Sequence, residues 1–276
     1  NDEAYFYQNF LREFANFSGE NLYNANSEIV KNSDFIVVCG SFLRSDSPNL
    51  SYKVNNALKI GKSSGIYFHT LNDKVVENYA KNFICIKHES KFDIEILLWI
   101  LQIWGENLPS WLDKKLKDEF EISQISKTEK NENDKNITQN SEVKTSKFAK
   151  MLNLNETKIA EIYADKKNFT LIIGEDFIFS KNALTLAKLV GLVQKFTPFK
   201  VMIIPPRTNS LGVALICDLD KNAKGEILGY NEKGDITRIF TTNLTYQSPE
   251  LLSRTEYYTS VDMSKYISYI IDTLNH

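Results

Sequence analysis

Cysteine is scarce in this chain and so is histidine, with three of each among 276 residues. Cys39, Cys85 and Cys217 stand far apart, and none belongs to a CxxC pair. Iron–sulfur clusters need grouped thiolates, so the chain itself is expected to carry none. Sparse, unpaired cysteines read as reduced, buried thiols of a cytosolic protein. His69, His88 and His276 lack the spacing of metal ligands, and no metal site is expected within the chain. An excess of either charge is missing too: the formal net charge is -2. That excludes the basic footprint of a nucleic-acid binder. The longest apolar runs, such as Ile94 to Trp104, fall short of the ~20 residues that span a bilayer, so direct membrane insertion is not expected. There is no secretory signal. The first residue is not Met, which reads as a piece excised from a longer protein. The Asn-x-Ser/Thr triplets at Asn16, Asn136, Asn168 and Asn243 are then by-products of a composition rich in Asn, Lys and Ile.

Complete glycine signatures are also wanting. Gly61-Lys62-Ser63 resembles the end of a phosphate loop, but position 56 is Asn56 where that motif needs glycine. The triplet also follows a predicted helix and precedes a strand, which is the place of a helix C-cap and turn. The dinucleotide fingerprint GxGxxG does not occur. No Ser-His-Asp or Cys-His arrangement is readable, and no catalytic residue is assigned.

What the chain does contain is a plan that repeats. Residues 121–147, "EISQISKTEKNENDKNITQNSEVKTSK", hold a few scattered aliphatics and no aromatics. Such a stretch buries too little surface to offset its ordering entropy, so 121–149 reads as a flexible or disordered linker between a first half, 1–120, and a second, 150–276. In the first half, "FIVVCGSFLRSDSPNLSYKVNNALKIGKSSGIYF" runs strand, glycine, polar loop, helix, strand. In the second, "FTLIIGEDFIFSKNALTLAKLVGLVQKFTPFKVMII" does the same. Each is a βαβ unit of a parallel sheet, with strands apolar on both faces as expected when helices cover both. The predicted class is α/β, two Rossmann-like parallel-sheet halves joined by a charged linker. Helices are expected over 4–17, 50–60, 93–102, 111–120, 154–163 and 180–196. Trp99, Trp104 and Trp111, with the leucines around them, read as core.

In open α/β sheets ligands bind beyond the carboxyl ends of the strands. That places Gly40 to Pro48 and Gly174 to Asp176 at the candidate site. Arg44 fits either a bound anion or loop carbonyls. Pro48 suits the first turn of a helix. Asn209, in "TNSLG", suits a left-handed turn, and Glu175 with Asp176 an acidic turn.

Taken together, "SDFIVVCGSFLRSDSPNLSYKVNNALKIG", "PPRTNSLGV" and the helix "EAYFYQNFLREF" resemble segments of molybdopterin oxidoreductases. Within that superfamily the chain is most similar to the large iron–sulfur subunit of NADH–quinone oxidoreductase, respiratory complex I, over roughly 1–120 and 150–230. The resemblance implies formate dehydrogenase/DMSO reductase-like middle domains. It also implies a scaffold portion that supports electron transfer from NADH or another donor to quinone without a redox centre of its own. By that analogy Gly40, Ser41, Arg44, Pro48, Gly174, Asn209 and Gly212 line a vestigial pterin cleft. The 2Fe-2S and 4Fe-4S clusters would sit upstream in the full-length protein. The implied partners are other peripheral-arm subunits, and the implied location is cytoplasmic, on the inner face of the membrane. The alternative is a cofactor-binding part of a molybdenum or tungsten oxidoreductase such as formate dehydrogenase, with molybdopterin bound. The tail after Tyr230 matches neither.

Overall fold

β-Branched and aromatic residues crowd the predicted strands, and a computed structural model places them at the centre of the molecule. It describes residues 2–129, 137–217, 219, 228–230, 238–240 and 256–258. Up to residue 118 the elements are α1 (Asp2–Ser18), α2 (Ser27–Lys31), β1 (Phe35–Cys39), α3 (Leu43–Asp46), α4 (Pro48–Lys59), β2 (Ser64–His69), α5 (Lys74–Glu77), β3 (Phe83–Lys87), α6 (Asp93–Trp104) and α7 (Ser110–Asp118). Next come β4 (Phe120–Glu129), β5 (Ile137–Ser146), α8 (Lys147–Met151), α9 (Glu156–Tyr163), β6 (Phe169–Ile173), α10 (Glu175–Ile178), α11 (Ala183–Phe196), β7 (Phe199–Ile203) and α12 (Ser210–Ile216).

The fold is α/β, built on a five-stranded sheet in the order β3-β2-β1-β6-β7, all of it parallel. The two βαβ units therefore belong to one sheet and meet inside it: β1 and β6 pair residue for residue, Phe35 with Phe169 through Cys39 with Ile173. Alternation along the strands feeds two layers. Phe35, Val37, Cys39, Phe68, Leu171 and Val201 face a core closed by α1, α6 and α11. Ile36, Val38, Tyr67, Ile172 and Ile204 face α4. Burial of both strand faces is why these segments read as continuous apolar runs.

Aromatic packing anchors the first layer. Trp104 lies edge-on to Trp99 at 5.3 Å, Tyr163 at 4.9 Å and Phe199 at 5.3 Å, an arrangement that adds to simple burial. Trp111 differs from the core expectation and is 62% exposed on α7, whose apolar stripe is Leu112 and Leu116. Cys39 is buried as expected, but Cys217 is exposed at the end of α12.

Residues 120–146 also differ from the linker expectation. β4 and β5 form an antiparallel ladder running from Phe120 opposite Ser146 to Glu129 opposite Ile137. Composition reports on side-chain burial, and a ladder is made by backbone groups that every non-proline residue carries. Residues 130–136 lie outside the described part. The chain divides into two units, 1–221 and 222–276. In the second, β8 (Leu228–Tyr230), β9 (Arg238–Phe240) and β10 (Glu256–Tyr258) form a parallel sheet in the order β10-β9-β8. Most of the tail after Tyr230 lies outside the described residues. No helix among the described residues is long and apolar enough to cross a membrane.

Candidate functional site

The chain leaves β1 on one side of the sheet to reach β2, and leaves β6 on the other to reach β7. The carboxyl ends of β1 and β6 are thus the place where strand order reverses, the usual site for a ligand crevice. Here the two loops lock into each other. Gly40 takes φ +61. A Cβ on it would lie 2.3 Å from the Phe177 ring, and one on Gly174 would lie 2.3 Å from the Gly40 carbonyl oxygen. The Gly174 amide donates to the Cys39 carbonyl and the Asp176 amide to the Gly40 carbonyl, both at 3.0 Å. Phe177, fully buried, fills the space between them. The expected loop at 174–176 is in fact the start of the short helix α10.

Arg44 is held by its neighbour. Its Nε donates to both oxygens of Asp73, at 3.2 and 2.9 Å. Asp73 in turn caps α5 by accepting from the Val75 and Val76 amides. Burial works to raise the Asp73 carboxyl, but Arg44 and these two amides outweigh it and hold it below the usual carboxylate range. Ser41 Oγ donates to Asp46 at 2.8 Å, and the Ser41 carbonyl accepts from the Tyr67 hydroxyl. Pro48 occupies the first turn of α4. Gly61 and Ser63 close that helix through the Asn56 and Ala57 carbonyls, which is a C-cap and not a phosphate cradle. Asn209 takes φ +63 before α12, with its Oδ1 against Gly212.

An open cleft of about 910 Å³ lies beside this lock, at the ends of β1, β2 and β3. Its walls are Gly40, His69–Thr70, Lys87–Lys91, Asp93, Asp176 and Phe179–Asn182. Of the seven residues expected from the sequence, Gly40 alone lines it; Ser41, Arg44, Pro48, Gly174, Asn209 and Gly212 do not. Two histidine–carboxylate pairs that sequence reasoning missed do line it. His69 Nε2 lies 3.4 Å from Asp176 Oδ2, and His88 Nδ1 lies 3.6 Å from Asp93 Oδ1. Distance in sequence hid the first, which needs β2 and α10 both in place; the second is local, five residues apart, and forms where the chain turns from β3 into α6. A histidine ending each of two adjacent parallel strands was the available signal.

His69, His88 and Asp93 are pushed in different directions. Burial pulls the His69 imidazole down, but Asp176 and the Leu71 carbonyl outweigh it and raise it. Burial lowers His88, which stays neutral. Burial first, then Asp176 and Glu95, push the Asp93 carboxyl up to about 7. His88 Nδ1 is 3.0 Å from the Glu89 carbonyl, which needs the proton on that nitrogen. Nε2 is then a bare acceptor, buried and without a hydrogen-bond partner. Among the described residues no group of three or more His, Cys, Asp or Glu is placed to hold a metal ion.

A second, smaller cleft of about 350 Å³ lies at the opposite ends of the strands. Among its polar walls Asn26 caps α2 and Asn168 bonds Asp34, and neither a histidine nor a cysteine lines it.

No protein-family model matches the chain, and a search of curated proteins returns no match.

Proposed function

We propose that this chain is a scaffold portion of the large iron–sulfur subunit of NADH–quinone oxidoreductase. In this reading its two Rossmann-like βαβ units correspond to the formate dehydrogenase/DMSO reductase-like middle domains of that subunit. They support electron transfer to quinone by packing, with no redox centre of their own. The clusters are carried upstream, and the partners are other peripheral-arm subunits at the inner face of the membrane. The resemblance of the quoted segments brings the reading to mind. The observation that carries it is the lock at the reversal point. A pterin nucleotide there needs glycine backbone left open for close approach and a free cation for its phosphates. Phe177 fills the space over Gly40, and Asp73 engages Arg44. The residues present at this point do not fit the group.

The rival reading, part of a molybdenum or tungsten oxidoreductase, would need the cofactor in the neighbouring cleft. Molybdenum, tungsten and pterin content of the full-length protein from its native host separates the two. Content near zero supports the scaffold, and one cofactor per chain overturns it. Deleting the region from the full-length protein should impair assembly of the complex more than it alters cluster potentials; normal assembly would sink the scaffold reading as well.

A further inference from the structure

The cleft beside the lock has an unusual distribution of hydrogen-bonding groups. Its inner wall offers acceptors. His88, with a side chain 2% exposed, presents a bare Nε2. Asp93, 8% exposed, has its Oδ1 3.6 Å from His88 Nδ1. Buried polar atoms in native proteins are almost always paired, so the unpaired His88 Nε2 beside the Asp93 carboxyl marks a place that a donor would complete. Asp93 and Glu95 both sit in the first turn of α6. The mouth offers the opposite. Lys91 is occupied by Glu89 at 2.7 Å, whereas Lys87 and Lys181 are exposed and have no carboxylate within ion-pair reach among the described residues. Phe179, 40% exposed, supplies an apolar wall between.

An acceptor-lined interior with a cationic mouth recognises a molecule charged in the reverse sense at its two ends. We propose that this cleft binds a small zwitterion, an amino acid-like molecule whose ammonium meets Asp93 and His88 and whose anionic end lies at Lys87 and Lys181. The class follows from elimination. A simple anion would meet the Asp93 carboxyl inside. A simple cation would gain nothing from the lysines. A neutral apolar molecule would leave the His88 and Asp93 acceptors unpaired and dry. The proposal goes beyond the scaffold reading and does not rest on it.

The test is calorimetric titration of the whole chain with γ-aminobutyrate and 5-aminovalerate, with butylamine and butyrate as singly charged controls. The zwitterions should bind and the controls should bind at least about fivefold more weakly, the scale of one exposed ion pair. Lys87→Ala with Lys181→Ala changes two exposed side chains and should weaken the zwitterions about fivefold or more. Asp93→Asn should weaken them on the order of a hundredfold. Because that variant alters a buried site, ¹⁵N spectra of histidine-labelled wild-type protein give an independent reading: the His88 Nε2 signal should move on adding 5-aminovalerate and stay in place on adding butyrate. Absence of both heat and a His88 shift overturns the proposal. So does binding of butylamine as tight as that of the zwitterions, or binding indifferent to the two lysine changes.

Discussion

Gly174 and Ser41 pack backbone against backbone: a Cβ built on Gly174 would fall 2.3 Å from Ser41 Cβ and 2.3 Å from the Gly40 carbonyl oxygen. The two halves of the sheet are joined at this point, and the obstructing atoms belong to backbone and to a Cβ, which cannot turn away. Gly174→Ala should therefore destabilise the fold by about 3 kcal/mol or more, on the scale of a core overpacking combined with backbone displacement. Gly212→Ala is the contrast. Its Cβ would also meet an atom at 2.3 Å, but that atom is Asn209 Oδ1 at the end of a side chain, and alanine is the better helix former. Its effect should stay within about 1 kcal/mol. Urea unfolding measures both, and equal losses would mean the lock is not where the halves are held.

Asp73 and Arg44 decide between a structural and a ligand-facing arginine. Asp73→Ala removes the cap of α5 and the partner of Arg44 together, so a loss of about 1–2 kcal/mol is expected from the cap. Arg44→Ala removes a half-exposed guanidinium but leaves the fully buried Asp73 carboxylate with only the Val75 and Val76 amides, so it should destabilise as well, through the stranded carboxylate and not through the lost arginine. Thermal unfolding of the two variants and their double combination gives the coupling. Additive losses would show that the contact contributes nothing.

Much of this arrangement was legible beforehand. "FIVVC" and "FTLII" could be little other than buried parallel strands, and both are. Pro48 and Gly61 marked the ends of α4 because each acts through its own backbone. Local signals failed where the outcome depends on distant partners. Trp111 carries the same side chain as Trp104, yet α7 turns it outward. The short helices α3, α5 and α10 have no periodicity to read at four residues each. Gly40 was recognised as a special turn, but that Phe177 would fill it needed the pairing of β1 with β6. The His69–Asp176 pair was hidden by the same distance in sequence, since it joins β2 to α10.

Asp93 makes stability depend on pH in a direction that can be checked. Its folded value of about 7 lies above the ordinary 3.8. The fold thus favours the protonated carboxyl, and stability falls as pH rises from about 4 to about 7. The groups acting on it are Asp176, Glu95 and His69, with Cys39 beneath and His88 alongside. The shift corresponds to on the order of 4 kcal/mol between the two forms, an upper bound once water and neighbours relax. Asp93→Asn should leave stability near pH 4 about unchanged and raise it at pH 8 by a few kcal/mol on that same scale. Equal effects at the two pH values would show that burial does not govern this carboxyl.

His69 and Asp176 give a second dependence that adds to the first. The His69 imidazole is raised in the fold although burial opposes it. Its contribution is fully present below the unfolded value near 6.5 and fades as pH rises through the raised folded value. The ion pair at 3.4 Å ties the end of β2 to α10, so its loss loosens the same lock that Gly174 closes. Asp176→Asn removes the partner of His69 and also one of the carboxylates that raise Asp93. Both changes act in one direction. The variant should be less stable than wild type at pH 5.5, approach it at pH 8.5, and show a flatter profile between. Melting temperatures across that range test it. A uniform loss at every pH would mean that Asp176 acts by packing alone, since a neutral amide packs much as the carboxylate does but cannot hold the imidazolium.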